Sequence, residues 1–366
     1  SLAIAHNGNL VNTEPLRREL ERSGSIFQTS CDSEVFVHLM ARSKSSDTVE
    51  RLKSALKKVK GAYSLLFLTE NELIGVRDPH GFRPLCIGKK GNAWCLASET
   101  CAFDLIEAKY IREVEPGEIV RITKKGIESS RFSPESASSA QCIFEHIYFS
   151  RPDSIIFGET VHLVRQKLGE QLAKEHPVDA DFVIPIPDSG TSSALGYSHA
   201  SGISLEWGVI RNHYVGRIFI QPQQKIRNLG VKIKFNILRE VVKGKRVIIV
   251  DDSIVRGTTS KIRVKNFRDA GAKEVHMRIS CPPHKFPCFY GIDFPYGEEL
   301  IANRLSLKEI QDYLEVDSLG YLSLKGMLGA MKSCKEKYCA ACFTGSYPIE
   351  FSKADKFSLE RCSRCK

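Results

Sequence analysis

The sequence lacks any hydrophobic run long enough for a helix to cross a membrane: its longest apolar stretches, such as YSLLFL and VIIV, have the length of strands. Cysteine is sparse, 12 in 366 residues, well below the density of a disulfide scaffold. These cysteines are scattered except near the C-terminus, where Cys-x-x-Cys pairs occur, so a reducing, cytoplasmic setting with metal or redox chemistry is expected. No internal repeat at a fixed period is present, which excludes a solenoid. Acidic residues almost vanish between Trp207 and Arg246, where ten cations face the single acid Glu240. That stretch carries nine of the ten excess positive charges, so the remainder is nearly neutral and offers no broad basic face for nucleic acid. A compact anion pocket fits this distribution. With 42% hydrophobic and 26% charged residues, the chain has an ordinary globular composition, and its length predicts two or three domains.

The first part reads as mixed α and β. SLAIAHNG suggests a strand running into a turn, Pro15–Arg22 and Ser33–Ala41 suggest helices, and Val49, Leu52, Leu56 and Val59 share one helical face. After Gly61 come AYSLLFL, ELIGVRD, RPLCIG, AWCLAS and EIVRIT, short apolar segments separated by Gly, Asn or Pro, as in an antiparallel sheet. An α+β layer domain over residues 1–132 follows. The serine-rich stretch from Ser129 to Gln141 reads as a linker. Beyond it, over residues 133–366, helices at Val161–Lys174, Thr191–His199 and Thr259–Ala270 alternate with strands at Asp181–Pro187, Arg246–Val250 and Glu274–Ser280. That rhythm predicts an α/β domain with a parallel sheet and right-handed crossovers.

The strongest chemical signal is RVIIVDDSIVRGTTS, Arg246–Ser260. A continuous apolar run suits a strand buried on both faces, and Asp251 and Asp252 stand at its C-terminal end, where open α/β sheets bind ligands. Adjacent carboxylates repel, so a site that keeps both pairs them with cations or hydroxyl donors. Vicinal sugar hydroxyls and a divalent metal fit. The turn through Ser253, Arg256, Gly257, Thr258 and Thr259 then opens a helix, placing backbone N–H groups and hydroxyls around one anion. The alternative is a pair of acids with a structural role, such as capping the next helix.

This motif resembles the phosphoribosyl pyrophosphate signature of type I phosphoribosyltransferases, and Pro187, Asp188, Ser189 and Gly190 in FVIPIPDSGTSS match the family's pyrophosphate loop. The resemblance implies Mg²⁺ near Ser189, Asp251 and Asp252, held largely by substrate oxygens. It also implies that Tyr214–Asn236 is a loop closing over the substrate. AHNGNLVNTEPLRREL, YFSRPDS and YCAACFTGSYP extend the resemblance to the glutamine phosphoribosylpyrophosphate amidotransferase family over essentially the whole chain. The fold implied is an N-terminal-nucleophile hydrolase-type glutaminase domain followed by a type I phosphoribosyltransferase domain. The activity implied is formation of 5-phosphoribosylamine, glutamate and pyrophosphate from phosphoribosyl pyrophosphate, glutamine and water, the committing step of purine synthesis.

By the same resemblance, Asn7 and Gly8 form the oxyanion hole and Asp32 holds the glutamine α-amino group; without it, His-Asn-Gly reads equally well as a tight turn. The family's nucleophilic cysteine at the mature N-terminus has no counterpart, because the matching segment begins inside the glutaminase domain. An incomplete glutaminase half is therefore expected, through truncation, gene-model error or a split gene, with turnover from ammonia and not from glutamine. Cys339, Cys342, Cys362 and Cys365 have spacing compatible with a zinc site. The family instead implies a 4Fe-4S cluster on Cys142, Cys288, Cys339 and Cys342, which accounts for the two isolated cysteines that zinc leaves unexplained. Cys31, Cys86, Cys95, Cys101, Cys281 and Cys334 read as packing residues. Purine nucleotide inhibitors and a homo-oligomer are further implications. The rival function, a phosphoribosyltransferase-fold regulator that senses phosphoribosyl pyrophosphate and binds DNA, calls for a helix-turn-helix segment and a broad basic face. Neither is visible.

Overall fold

The computed structural model describes residues 1–133, 138–212, 235–294 and 297–350. Most of the Tyr214–Asn236 loop, together with Cys362 and Cys365, lies outside the described residues.

In the first half a five-stranded antiparallel sheet runs in the order Ala3–Leu10, Gly61–Leu68, Glu72–Arg77, Glu118–Thr123 and Gly126–Arg131. The period-2 alternation of Gly61–Leu68 explains its double use. Tyr63, Leu65 and Phe67 join Leu16, Leu20, Phe36, Leu39, Leu52 and Leu56 of the helices Thr13–Arg22, Glu34–Ala41 and Thr48–Leu56. Leu66 belongs to a separate apolar cluster with Leu85, Ile87, Leu96, Val114 and Val120. That cluster joins the five-stranded sheet to a three-stranded one of order Ala93–Ala97, Cys86–Lys90, Lys109–Glu113. The helical segments and antiparallel strands agree with expectation apart from their ends.

Two expectations change here. His-Asn-Gly is not a turn: the strand continues through it to Leu10, with Gly8 opposite Tyr63. Gly8 has φ +146, and a Cβ there would overlap the carbonyl of Ala62, so only glycine lets the strand pass at this point. The serine-rich stretch is also shorter as a connector than its composition suggested. Its start pairs as the Gly126–Arg131 strand, and its end, Gln141–Cys142, pairs in parallel with Tyr338–Cys339.

The second half holds a parallel sheet in the order Phe182–Pro185, Arg246–Asp251, Glu274–Ile279, Ser318–Tyr321. The last strand escaped the sequence reading because SLGY is short, and Ser and Gly interrupt its apolar pattern. The helix Val161–Glu175 packs on Thr191–Ser201 at Gly169 and Gly196, where any Cβ would overlap the opposing backbone. The ends of the cationic stretch, Val209–Arg211 and Phe235–Ile237, pair as antiparallel strands, so Phe235 and Asn236 belong to a strand rather than a loop.

Candidate active site

The two loops that carry the anion chemistry leave the C-terminal ends of adjacent parallel strands, with Pro185 opposite Val250. The first loop stays against the sheet, because the Ile186 N–H donates to the Val250 carbonyl at 2.9 Å. A Cβ on Gly190 would overlap that same carbonyl oxygen. The peptide between Pro187 and Asp188 is cis, Asp188 pairs with Arg211, and the helix begins at Thr191.

Asp251 and Asp252 are both buried at the end of the neighbouring strand. Asp251 Oδ1 accepts the Asp252 N–H at 3.0 Å, Arg263 donates to Asp251 Oδ2, and Ser253 Oγ donates to Asp252 Oδ2. Burial pushes the Asp251 carboxyl up to about 7; Arg263 counters this and the charge of Asp252 adds to it. Arg165 is also buried, and donates from Nε to the His146 carbonyl at 2.6 Å and from Nη2 to that of Ser150 at 2.8 Å. Burial lowers its pKa to about 10, against the attraction of Asp252, so it stays cationic at neutral pH. Arg165 and Arg263 were not foreseen. One interpretable signal was available for Arg165, which sits on the same helical stripe as Val161, Val164 and Leu168.

Gly257 takes φ +80 and caps the Thr258–Asp269 helix. The Thr258 and Thr259 N–H groups and hydroxyls make no hydrogen bond to the described residues, which leaves a helix N-terminus with its donors open. Arg256 points elsewhere. Its Nε donates to Glu299 at 2.8 Å, an exposed pair.

Asn7, Gly8 and Asp32 come together at the edge of the first half. Asp32 Oδ1 lies 3.2 Å from His6 Nδ1 and Oδ2 accepts the Leu10 N–H at 3.0 Å. Burial would raise the Asp32 pKa, but hydrogen bonding and charge from His6, with the Leu10 N–H, bring it below the usual value. Asn7 Oδ1 accepts from Arg83 Nε at 3.1 Å, and Asn7 Nδ2 donates to Ser98 Oγ at 3.3 Å. The second half reaches this strand directly: Asn9 Nδ2 donates to the Phe289 carbonyl at 2.9 Å, and a Cβ on Gly291 would stand 2.7 Å from Gly8. The YFSRPDS segment closes the junction, since Glu99 Oε2 accepts the Arg151 N–H at 2.7 Å and the Ser154 hydroxyl at 2.8 Å.

Backbone pairing gathers the four predicted cysteines. Cys142 lies opposite Cys339, and the Cys342 carbonyl accepts from Lys285 and Phe286, both at 3.1 Å, three and two residues before Cys288. Burial pushes the Cys142 thiol up to about 12, with Arg83 pulling it down and Glu145 and Cys288 pushing it up; Cys342 rises well above the usual range for the same first reason. Among the described residues no three His, Cys, Asp or Glu side chains converge on a single ion. The remaining cysteines divide: Cys86, Cys101 and Cys281 are buried and Cys95 half-buried, whereas Cys31 and Cys334 are exposed and are not packing residues.

An antiparallel layer domain joined to a parallel sheet whose strand ends carry two anion-type loops defines the class by its fold: a glutamine amidotransferase-type domain followed by a phosphoribosyltransferase-type α/β domain. A family model described as "Glutamine amidotransferase domain" matches residues 1–104. The chain is 53% identical over 351 residues to "Amidophosphoribosyltransferase 2, chloroplastic" of Arabidopsis thaliana, covering 96% of this chain and 62% of that protein. It is 52% identical over 357 residues to the Bacillus subtilis amidophosphoribosyltransferase, covering 96% of this chain and 74% of that one. The solved structure of the B. subtilis glutamine phosphoribosylpyrophosphate amidotransferase with ADP and GMP superposes with a TM-score of 0.90 at 51% identity, covering 96% of this chain and 78% of that one. This chain belongs to the amidophosphoribosyltransferase family. It spans about three fifths, 62%, of the length of three plant relatives, two from Arabidopsis thaliana and one from Glycine max.

Proposed function

We propose that the second half transfers the phosphoribosyl group of phosphoribosyl pyrophosphate to ammonia, releasing pyrophosphate and forming 5-phosphoribosylamine. The amidotransferase-type first half would supply that ammonia from glutamine. The observation that carries this reading is the buried Asp251–Asp252 pair beside a helix N-terminus whose amides and hydroxyls are open. In this reading the 5-phosphate lies on the N–H groups and hydroxyls of Ser253, Gly257, Thr258 and Thr259, with Arg256 leaving its exposed pair to join them. Asp251 and Asp252 accept from the ribose hydroxyls, and Arg263 and Arg165 keep the acids from repelling one another. Asp188, Ser189 and Gly190 receive the diphosphate. Ser189, Asp251 and Asp252 would help to hold Mg²⁺, which when bound would supply positive charge against the departing diphosphate. As the C1–O bond breaks, the carboxylates stand beside the positive charge that grows on the ribose.

Asn7 and Gly8 serve as oxyanion donors, and Asp32, held ionised by His6, receives the glutamine ammonium group. The four thiols, three buried and that of Cys339 half-buried, are soft donors of the kind that would hold a 4Fe-4S cluster. Zinc on Cys339, Cys342, Cys362 and Cys365 is the alternative. The cluster's part here is structural, fastening the C-terminal segment to Cys142. Purine nucleotide inhibition and a homo-oligomeric, cytoplasmic enzyme complete the reading. The B. subtilis structure, named with ADP and GMP, supports the inhibitors, and the plant relatives carry chloroplastic names. Isothermal calorimetry with Mg²⁺ and phosphoribosyl pyrophosphate tests the site. Wild type should bind, and Asp252→Asn should lose at least about tenfold in affinity; equal binding by both removes the acid pair from the mechanism.

A further inference from the structure

An asparagine amide offers an acceptor at one end and donors at the other in nearly the same shape, so its neighbours decide which end faces a substrate. An oxyanion donor must present its NH₂. Asn7 has a neighbour that settles this, because Arg83 Nε lies 3.1 Å from Asn7 Oδ1. A guanidinium only donates, so a reversed amide would set NH₂ against N–H. Nδ2 is thereby turned away from Arg83, where it reaches Ser98 Oγ at 3.3 Å.

Arg83 is itself fixed from across the junction. Its Nη1 lies 3.0 Å from Glu145 Oε1, with side-chain exposures of 7% and 4%, and its guanidinium stacks 5.1 Å above the Phe149 ring. Glu145 is steadied in turn by the Ser150 hydroxyl at 2.7 Å, and the Ser150 carbonyl takes a hydrogen bond from Arg165. The Arg83 main chain is held by Ser64 Oγ and Arg77 Nε, each 3.0 Å from its carbonyl. A buried ion pair of this kind is costly to desolvate, and its best-attested use is to fix one arrangement among several.

We propose that Arg83 is the positioning residue of the Asn7 amide, and that Glu145, contributed by the second half, holds Arg83 in that role. The orientation of a glutaminase donor thus depends on a residue outside the glutaminase fold. Lysine could reach one partner but not both, because it lacks the planar fork. The inference rests on the reading of Asn7 as an oxyanion donor, and its test is read without any substrate.

Hydrogen exchange of side-chain amides, followed by NMR on the ¹⁵N-asparagine-labelled 366-residue chain, measures the orientation directly. Asn7→Asp assigns the resonance, and Asn303, whose Nδ2 donates to the Lys285 carbonyl at 2.8 Å, reports on general loosening. Arg83→Met should speed Asn7 amide exchange about tenfold or more and shift its resonance, leaving Asn303 unchanged. Arg83→Lys should restore part of the protection. Glu145→Gln, which keeps the shape and removes the charge, should act in the same direction as Arg83→Met and serves if that variant does not fold. Wild-type exchange at Asn7 in Arg83→Met or Glu145→Gln overturns the inference, as does equal acceleration at Asn303. An Asn7 resonance indifferent to added glutamine would sink the oxyanion reading alone and leave the Arg83 result standing.

Discussion

Two glycines at opposite ends of the Thr191–Ser201 helix should respond differently to the same methyl group. At Gly190 the added carbon would overlap the Val250 carbonyl oxygen and stand 3.0 Å from that of Ile186. Both obstacles are backbone on a buried strand and its continuation, so the loop must yield, and about 1 Å of movement restores ordinary contact. Overpacking of this kind costs about 1–3 kcal/mol, and a misplacement of about 1 Å at a reacting centre costs about a hundredfold in rate. At Gly202 nothing lies within 4 Å, and the sole penalty is the left-handed backbone at φ +72, about 1 kcal/mol. Gly190→Ala should therefore lower ammonia-dependent pyrophosphate release by about two orders of magnitude, while Gly202→Ala lowers the urea midpoint modestly and leaves turnover unchanged. Equal turnover in the two variants would refute the assignment of residues 188–190 to the reacting site.

Asp251 gives a pH dependence with a definite sign. Its folded-state pKa of about 7 lies above the unfolded value, so the folded protein binds the extra proton, and the stability this confers is full below the unfolded pKa and lost as pH rises towards 7. Between pH 5 and 8 the urea midpoint of the ligand-free protein should fall more in wild type than in Asp251→Asn; parallel curves would contradict the burial argument. Affinity for Mg²⁺ and phosphoribosyl pyrophosphate should move the opposite way, rising through the same window, as titration calorimetry would register. For the cysteine site, anaerobically purified wild type should contain iron and acid-labile sulfide with broad visible absorption, and Cys288→Ser should lose most of both. Stoichiometric zinc without iron would favour the alternative ligands.

The parts of the site legible from sequence are those built by one continuous segment. RVIIVDDSIVRGTTS encodes a buried strand, two acids and a helix start in chain order, and the strand Arg246–Asp251 and helix Thr258–Asp269 reproduce it nearly residue for residue. FVIPIPDSGTSS is legible for the same reason. His-Asn-Gly was misread because its local turn propensity is overridden by pairing with Ala62–Ser64, which forces the strand straight through. Arg263 lies three residues beyond that stretch, in the helix it opens, and its bond to Asp251 depends on how the helix returns beside the strand end. Arg83, Glu145 and Arg165 are further out of reach, since each takes its partners from segments far away in sequence. The cysteines divide similarly. Cys339 and Cys342 announce themselves by spacing, whereas Cys142 and Cys288 reach them through a two-residue parallel pairing and two hydrogen bonds to one carbonyl.

Pyrophosphate release from phosphoribosyl pyrophosphate with Mg²⁺, measured with ammonia and with glutamine as nitrogen donor in wild type and Asp252→Asn, bears most directly on the central claim. Ammonia-dependent release by wild type and a loss of at least about a hundredfold in Asp252→Asn are predicted. Wild-type rates from the variant, or no release by a folded protein that binds the sugar diphosphate, would contradict it.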